Sequence, residues 1–326
     1  QLYVWNSQGE NFGGWPKEIG ISNFTPVSVA DIDHDRDLEI AFLSKEYFFD
    51  EFGRFFLWHD DGSNVENWPL RIDEYYDGLR PQIFDFNHDG RFEAIISDSY
   101  FSSSTKTFLY DTESAEPLNN TPFHPGGIST VTIGNFDDDQ DQEIARVLSF
   151  SGYGERNQYD SVYISNLDGS LVDHWPLELY SDDEIEYITY ELIAADFDGD
   201  GRHELVFTSQ IAGNDQLGKL YVVNSLGEIL ENWPQEMQGA IISRPVLGDI
   251  NDDGVPEIIA IESSLRRRPI LHVWGIDGNE IQGFPLEIPL IYNYNAFIET
   301  QPVVADIDGD EDQEIIITLF NRDGYF

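Results

Sequence analysis

Cysteine is absent from this chain, so disulfides, thiolate chemistry and Cys-ligated zinc are excluded. That absence is neutral between cellular compartments. Lysine is scarce, with four copies, and 17 basic residues face 62 acidic ones for a net charge of −45. Phosphate backbones and anionic membranes need basic patches, so neither nucleic acid nor membrane insertion fits. A surface this acidic keeps its own copies apart and draws cations. No apolar run reaches the roughly 18 residues of a membrane span. The opening "QLYVWNSQGE" has no basic n-region and no long apolar h-region, and does not read as a signal peptide. Also missing are H-E-x-x-H, G-x-S-x-G, a P-loop and G-x-G-x-x-G.

What is present is a core-forming composition and a repeat. Hydrophobic residues make up 40% and aromatics 14% of 326 residues, which suits one large all-β domain over 1–326. Six acidic stretches recur: "DIDHDRDLEI" at Asp31, "DFNHDGRFEA" at Asp85, "NFDDDQDQEI" at Asn135, "DFDGDGRHEL" at Asp196, "DINDDGVPEI" at Asp249 and "DIDGDEDQEI" at Asp306. Their spacings are 54, 50, 61, 53 and 57. Between them runs a second motif, seen as "FLWHDDGSNVENWP" at Phe56 and "LYVVNSLGEILENWP" at Leu220, with a degenerate copy at Phe108 that lacks the Trp.

Each unit reads as four short strands, punctuated by Gly, Pro, Asn and Asp, with no helical period. Four strands per repeat predict a propeller blade. The chain starts on a third and fourth strand and stops after a second. Joining the ends gives a wrap-around spacing of 51, in register with the rest. The expectation is a six-bladed β-propeller of four-stranded blades, the last closed by both termini. The alternative is a fragment of a seven- or more-bladed array.

The acids alternate along a tight loop, which turns their side chains toward one point. Hard cations such as Ca²⁺ take about six to eight oxygens. Positions 1, 3, 5 and 9 supply side-chain oxygens: Asp31, Asp33, Asp35 and Glu39; Asp85, Asn87, Asp89 and Glu93; Asn135, Asp137, Asp139 and Glu143; Asp196, Asp198, Asp200 and Glu204; Asp249, Asn251, Asp253 and Glu257; Asp306, Asp308, Asp310 and Glu314. Position 7 is Asp37, Arg91, Asp141, Arg202, Val255 and Asp312, a mixture that fits ligation through the backbone carbonyl. An EF-hand would place its acid at position 12 between helices; here it is at position 9 between strands. These read as calcium loops of another kind, up to one per blade. Gly90, Gly201 and Gly254 at position 6 mark the second, fourth and fifth loops as best formed, and the third as weakest. The competing reading is a set of solvated acidic turns.

On the D-x-[DN]-x-D-G-x-x-[DE] loop, the repeats resemble the FG-GAP or VCBS repeats that build integrin α-chain-like propellers. The resemblance covers essentially the whole chain and implies calcium at the positions just named. The chain departs from the family in lacking the Phe-Gly and Gly-Ala-Pro segments, and in having six units where integrin propellers have seven. Integrin-like ligand binding is not implied.

Trp15, Trp68, Trp175 and Trp233 precede Pro at matching positions, with Phe284 in the same slot; fixed spacing predicts core between blades. His34 and His88 are expected to face solvent. Asn23 and Asn119 open N-x-T sites. On the side away from the acidic loops, Tyr47, Phe48, Phe49, Tyr75, Tyr76, Tyr187, Tyr190, Tyr292, Tyr294 and Phe297 gather, suited to protein or sugar recognition or to packing over blade ends. Arg266, Arg267 and Arg268 suit an acidic partner, or neutralise nearby acids. The functional expectation is an extracellular or cell-surface calcium-stabilised propeller that binds a protein or glycan without catalysis, as part of a larger exported protein. A lectin and a polysaccharide lyase-like enzyme are the alternatives.

Overall fold

The computed structural model describes residues 1–19, 27–45, 52–73, 81–97, 107–118, 131–139, 141–149, 160–179, 186–189, 192–211, 217–241, 244–264, 267–289, 296–297, 301–310, 312–318 and 320–321. The described residues are all β, and none is helical. The strands are β1 (Ser28–Ala30), β2 (Glu39–Lys45), β3 (Phe52–Trp58), β4 (Leu70–Asp73), β5 (Gln82–Phe84), β6 (Glu93–Ser97), β7 (Thr107–Asp111), β8 (Thr132–Gly134), β9 (Glu143–Ser149), β10 (Asp160–Ser165), β11 (Leu177–Glu178), β12 (Glu186–Ile188) and β13 (Ile193–Ala195). They continue with β14 (Glu204–Ile211), β15 (Gly218–Val223), β16 (Gln235–Glu236), β17 (Ala240–Ile241), β18 (Val246–Gly248), β19 (Glu257–Ser264), β20 (Arg267–Trp274), β21 (Leu286–Glu287), β22 (Ala296–Phe297), β23 (Val303–Ala305), β24 (Glu314–Ile316) and β25 (Phe320–Asn321).

The chain divides into two compact units: Gln1–Val131 with Gln140–Gly154 and Ser165–Leu171, and Thr132–Asp139 with Glu155–Ile164 and Val172–Phe326. In the first unit, β1 to β4 form one antiparallel sheet in chain order, and β5 to β7 another. In the second, β14 to β16 form a sheet whose first edge is shared by β12 and β13, and β19 to β21 one whose first edge is shared by β17 and β18. Sequential pairing follows from the short connections, since neighbouring strands in the chain meet before distant ones do.

The central strands β2, β3 and β19 are hydrophobic on both faces because a core cluster covers each face. Along β2 and β3, Ala41, Leu43, Phe55 and Leu57 enter one core cluster with Ala94 and Ile96 of β6. Their neighbours Phe42 and Trp58 turn the other way and pack with Trp15 and Ile19 of the N-terminal segment, which is itself tied back on itself by Leu2–Lys17 and Trp5–Asn11 bridges. In the second unit, Ile258 and Ala260 face one cluster, while Ile259 and Ile261 face the next, against Val304 and Ile315. The period of two along each strand thus sorts one apolar run into two cores.

The Trp-Pro motif joins successive sheets. Trp15 Nε1 donates to Asp60 O at 2.8 Å, Trp68 Nε1 to Thr112 O at 2.8 Å, Trp175 Nε1 to Ser225 O at 2.9 Å and Trp233 Nε1 to Ile276 O at 2.8 Å. Each acceptor lies in the hairpin turn of the next copy of the second motif. All four rings are buried, in keeping with a core role.

Candidate metal centres in the acidic loops

Each acidic loop joins the first strand of a repeat to its long second strand. The position-9 glutamate is the first residue of that strand, as with Glu39 of β2, Glu93 of β6, Glu204 of β14, Glu257 of β19 and Glu314 of β24. Its carboxylate reaches back seven residues to the amide of position 2. Ile32 N donates to Glu39 Oε2 at 2.9 Å, Phe86 N to Glu93 at 3.1 Å, Phe197 N to Glu204 at 3.1 Å, Ile250 N to Glu257 at 2.7 Å and Ile307 N to Glu314 at 2.9 Å. One oxygen therefore holds the loop closed, while the other faces the loop interior or a neighbouring side chain, His59 at Glu39 and Asn251 at Glu257.

The aspartates are held in the same way. Position 5 accepts the amide of position 7 in five loops: Asp35 from Asp37 (2.8 Å), Asp89 from Arg91 (2.8 Å), Asp200 from Arg202 (2.8 Å), Asp253 from Val255 (2.9 Å) and Asp310 from Asp312 (3.1 Å). Position 1 accepts the amide of position 6 where that residue is glycine: Gly90 N to Asp85 (3.0 Å), Gly201 N to Asp196 (3.0 Å) and Gly254 N to Asp249 (2.9 Å). These glycines have φ of 87°, 93° and 85°, the left-handed region that glycine enters without steric cost. Arg36 adopts it too, with φ 83°, at the steric cost a side chain brings there. In the third loop, Asn135–Asp139 belongs to the second unit and Asp141 and Glu143 to the first. Asp137 N donates to Asn135 Oδ1 at 3.3 Å, and Asp139 N to Asp137 Oδ1 at 2.9 Å.

The position-7 side chains Arg202, Arg91 and Val255 turn elsewhere. Arg202 bonds Asp200 (2.9 Å) and lies 3.6 Å from Asp138, Arg91 lies 3.8 Å from Glu113, and Val255 packs against the second unit's core.

Carboxylate oxygens converge within 4.8 Å in Asp196–Asp198–Glu204, in Asp306–Asp308–Glu314 and in Asp31–Asp33–Asp35. Asn87 and Asn251 take the place of the second acid in the other two first-rate loops, and Asn251 Nδ2 reaches the Glu257 carboxylate. Several of these acidic clusters can hold a metal ion. The electrostatics fit a missing counter-charge. Burial, with Asp89, Asp85 and Asp111 adding repulsion, pushes Glu93 up to about 7. Burial with Asp198, Asp200 and Asp196 does the same to Glu204, also to about 7. Asp31 Oδ1 is buried without a hydrogen-bond donor among the described residues. An all-oxygen donor set on a tight loop suits a hard divalent cation.

Of the recognition candidates, Tyr47, Phe48, Phe49, Tyr75, Tyr76, Tyr190, Arg266, Tyr292 and Tyr294 lie outside the described residues, as does Asn23. Tyr187 sits in β12 opposite Gln210 rather than in a loop, because its segment pairs with the far end of the long β14. Arg267 begins β20, and Arg268 pairs with Glu287 at 3.2 Å on the exposed surface.

Sequence reasoning missed two groupings. One is His59 beside the first loop. The other is a cavity of ≈ 500 Å³ in the second unit lined by Gln235, Glu236, Glu262, His272, Trp274 and Glu280 among others. There His272 Nδ1 lies 2.5 Å from Glu280 Oε1, and Nε2 lies 3.5 Å from Glu262 Oε2, with the ring stacked on Trp274. Burial alone would lower the His272 pKa; hydrogen bonds to, and the charges of, the two glutamates outweigh it and raise it. Neither grouping carries a local motif, since its members come from different strands and turns.

No protein-family model matches the chain. No curated protein does either. Among solved structures, the Bacillus licheniformis rhamnogalacturonan lyase PL11 aligns over 91% of this chain, with TM-score 0.60 and 14% identity. This chain spans 56% of that lyase's length. The V. cholerae biofilm matrix protein Bap1 aligns over 89% of this chain and 73% of its own, with TM-score 0.41 and 11% identity. The Pseudomonas aeruginosa PilY1 C-terminal domain aligns over 74% and 71%, with TM-score 0.42 and 11% identity. The likeness to the lyase is one of fold.

Proposed function

We propose that this chain is an FG-GAP/VCBS-type six-bladed β-propeller, stabilised by Ca²⁺ in its acidic loops, that works outside the cell as a non-catalytic binding or adhesion module for a protein or glycan. The observation that carries the reading is the clasp between position 2 and position 9, repeated in five loops, with carboxylates converging in the first, fourth and sixth. Positions 1, 3, 5 and 9, with the carbonyl of position 7, would hold the ion. Bound calcium would relieve carboxylate repulsion and pin two strands, so its binding energy would add to folding. Loops of this kind suit the millimolar calcium of the extracellular space. A glycan and protein-ligand array, run with millimolar Ca²⁺ and with EDTA, tests the reading: calcium-dependent capture supports it.

A polysaccharide lyase or hydrolase is the second reading, favoured by His272 between Glu262 and Glu280 in a cavity large enough for a sugar unit. Depolymerisation of rhamnogalacturonan by the wild type, lost in His272→Ala, would replace the binding reading with this one.

A further inference from the structure

The first loop differs from the others in what stands beside its glutamate. The ladder pairs Ile40 of β2 with Trp58 of β3, so the next residues outward, Glu39 and His59, face each other. In the second repeat Glu93 pairs with Asp111. In the fourth, Leu205 pairs with Val223, which sets Asn224 beside Glu204; in the fifth, Ile258 pairs with Trp274, which sets Gly275 beside Glu257. Among these described copies the imidazole is peculiar to the first.

Its ring is aimed at the loop. His59 Nδ1 lies 3.2 Å from Glu39 Oε1 and 3.9 Å from Asp33 Oδ2, and the three donor atoms all fall within 4.8 Å of one another. Donors bound to one ion at about 2.1 Å stand roughly 3.0–3.4 Å apart when adjacent and about 4.2 Å when opposite. The His59–Glu39 separation, that of a hydrogen bond, equals that of adjacent ligands, and the His59–Asp33 separation lies between the adjacent and opposite values, so small movements would seat an ion. Glu39 is buried at 1% exposure, and its Oε2 is held by Ile32 N, which leaves Oε1 turned to the ring. His59 is about one-third exposed, so the side of the site it forms is open to solvent.

We propose that Asp33, Glu39 and His59 form a binding site for a first-row transition-metal ion, Zn²⁺ or one of its neighbours, distinct in chemistry from the all-oxygen loops. Calcium prefers oxygen throughout, whereas imidazole nitrogen with carboxylates suits Zn²⁺, Co²⁺, Ni²⁺ and Cu²⁺. The metal replaces whatever proton Nδ1 carries and draws the ring and the two carboxylates together. Asp33 also belongs to the Asp31–Asp33–Asp35 grouping, so the two ions compete for it. The inference rests on reading the first loop as a cation site, but not on calcium at the remaining loops.

The test uses the untagged full chain, stripped with chelator and then held in excess Ca²⁺. Zn²⁺ titration by calorimetry and the visible d–d absorption of added Co²⁺ are measured on the wild type and on His59→Asn, which installs the amide found at the matching position of the fourth repeat. Expected are one stoichiometric Zn²⁺ site and a Co²⁺ band in the wild type, with Zn²⁺ affinity in the variant weakened by at least the roughly 10–100-fold that loss of a residue hydrogen-bonded to a metal ligand costs. A wild type without Zn²⁺ or Co²⁺ binding, or a variant that binds as tightly, overturns the proposal. If His59→Asn does not fold, the electron paramagnetic spectrum of Cu²⁺ on the wild type decides: nitrogen coupling from one imidazole supports the site, and oxygen-only ligation overturns it. A Co²⁺ band lost in the variant, together with a melting temperature indifferent to Ca²⁺, would sink the calcium reading alone and leave this one standing.

Discussion

The amide of Phe86 donates to Glu93 Oε2 at 3.1 Å, tying the second residue of an acidic loop to its ninth. Phe86 is fully buried beneath the loop, and Glu93 is buried as the first residue of β6. A carboxylate placed there is desolvated and surrounded by acids, and only a proton or a cation relieves it.

That arrangement predicts a pH dependence for the metal-stripped chain. Glu93 and Glu204 are raised to about 7 from 4.5, chiefly by burial. The native state then holds protons that the unfolded chain has released, so these groups contribute stability below the unfolded pKa and lose it as pH rises toward and past the folded one. In EDTA, the melting temperature should fall between about pH 5 and about pH 8, and Glu93→Gln should flatten the fall. Millimolar Ca²⁺ should raise the melting temperature, and more so at the higher pH, because proton and metal compete for the same oxygens. Equal melting curves in calcium and EDTA at the higher pH would remove the metal reading.

Arg36 takes a position-6 conformation, φ 83°, that glycine takes in the second, fourth and fifth loops. Its side chain is exposed, so replacement loses no core packing. Arg36→Gly should stabilise the chain by on the order of 0.5–1 kcal/mol, the relief of left-handed strain less the extra chain entropy of glycine. Chemical denaturation of the two forms in calcium measures it, and a destabilised variant would show the guanidinium to matter in its own right.

Trp233→Phe should keep most of the apolar contact with Trp274 but leave the carbonyl of Ile276 without its indole donor. A cost of about 1 kcal/mol follows from losing the hydrogen bond to a part-buried acceptor, added to the lost ring area. The fifth copy already carries Phe284 in this slot, so the fold should persist. Thermal unfolding with unchanged circular dichroism at low temperature is the expected result.

Gly14 has φ 80°, and a Cβ there would stand 1.8 Å from the carbonyl oxygen of Asp61. The N-terminal segment meets the β3–β4 turn backbone to backbone at that point. Gly14→Ala should lower stability by about 1–3 kcal/mol, through both the clash and the backbone conformation. A variant as stable as the wild type would mean that the segment can lift from the turn at little cost.

The acidic loops, their placement between two strands and the glycine at position 6 were legible in the sequence, because each is a local pattern repeated at fixed offsets. So was the core role of the tryptophans, since a side chain recurring at one position in four copies meets the same kind of neighbour each time. The sequence could not show that Glu39 uses one oxygen to hold Ile32 N, that each tryptophan bonds the turn of the next repeat, or that Tyr187 pairs within a sheet. Nor could it bring His59 to Asp33 and Glu39, or His272 between Glu262 and Glu280. Those relationships depend on strand register and on the stacking of one sheet upon another. Register sets residues eight to twenty or more positions apart face to face, and nothing in the spacing along the chain encodes which partner will stand opposite.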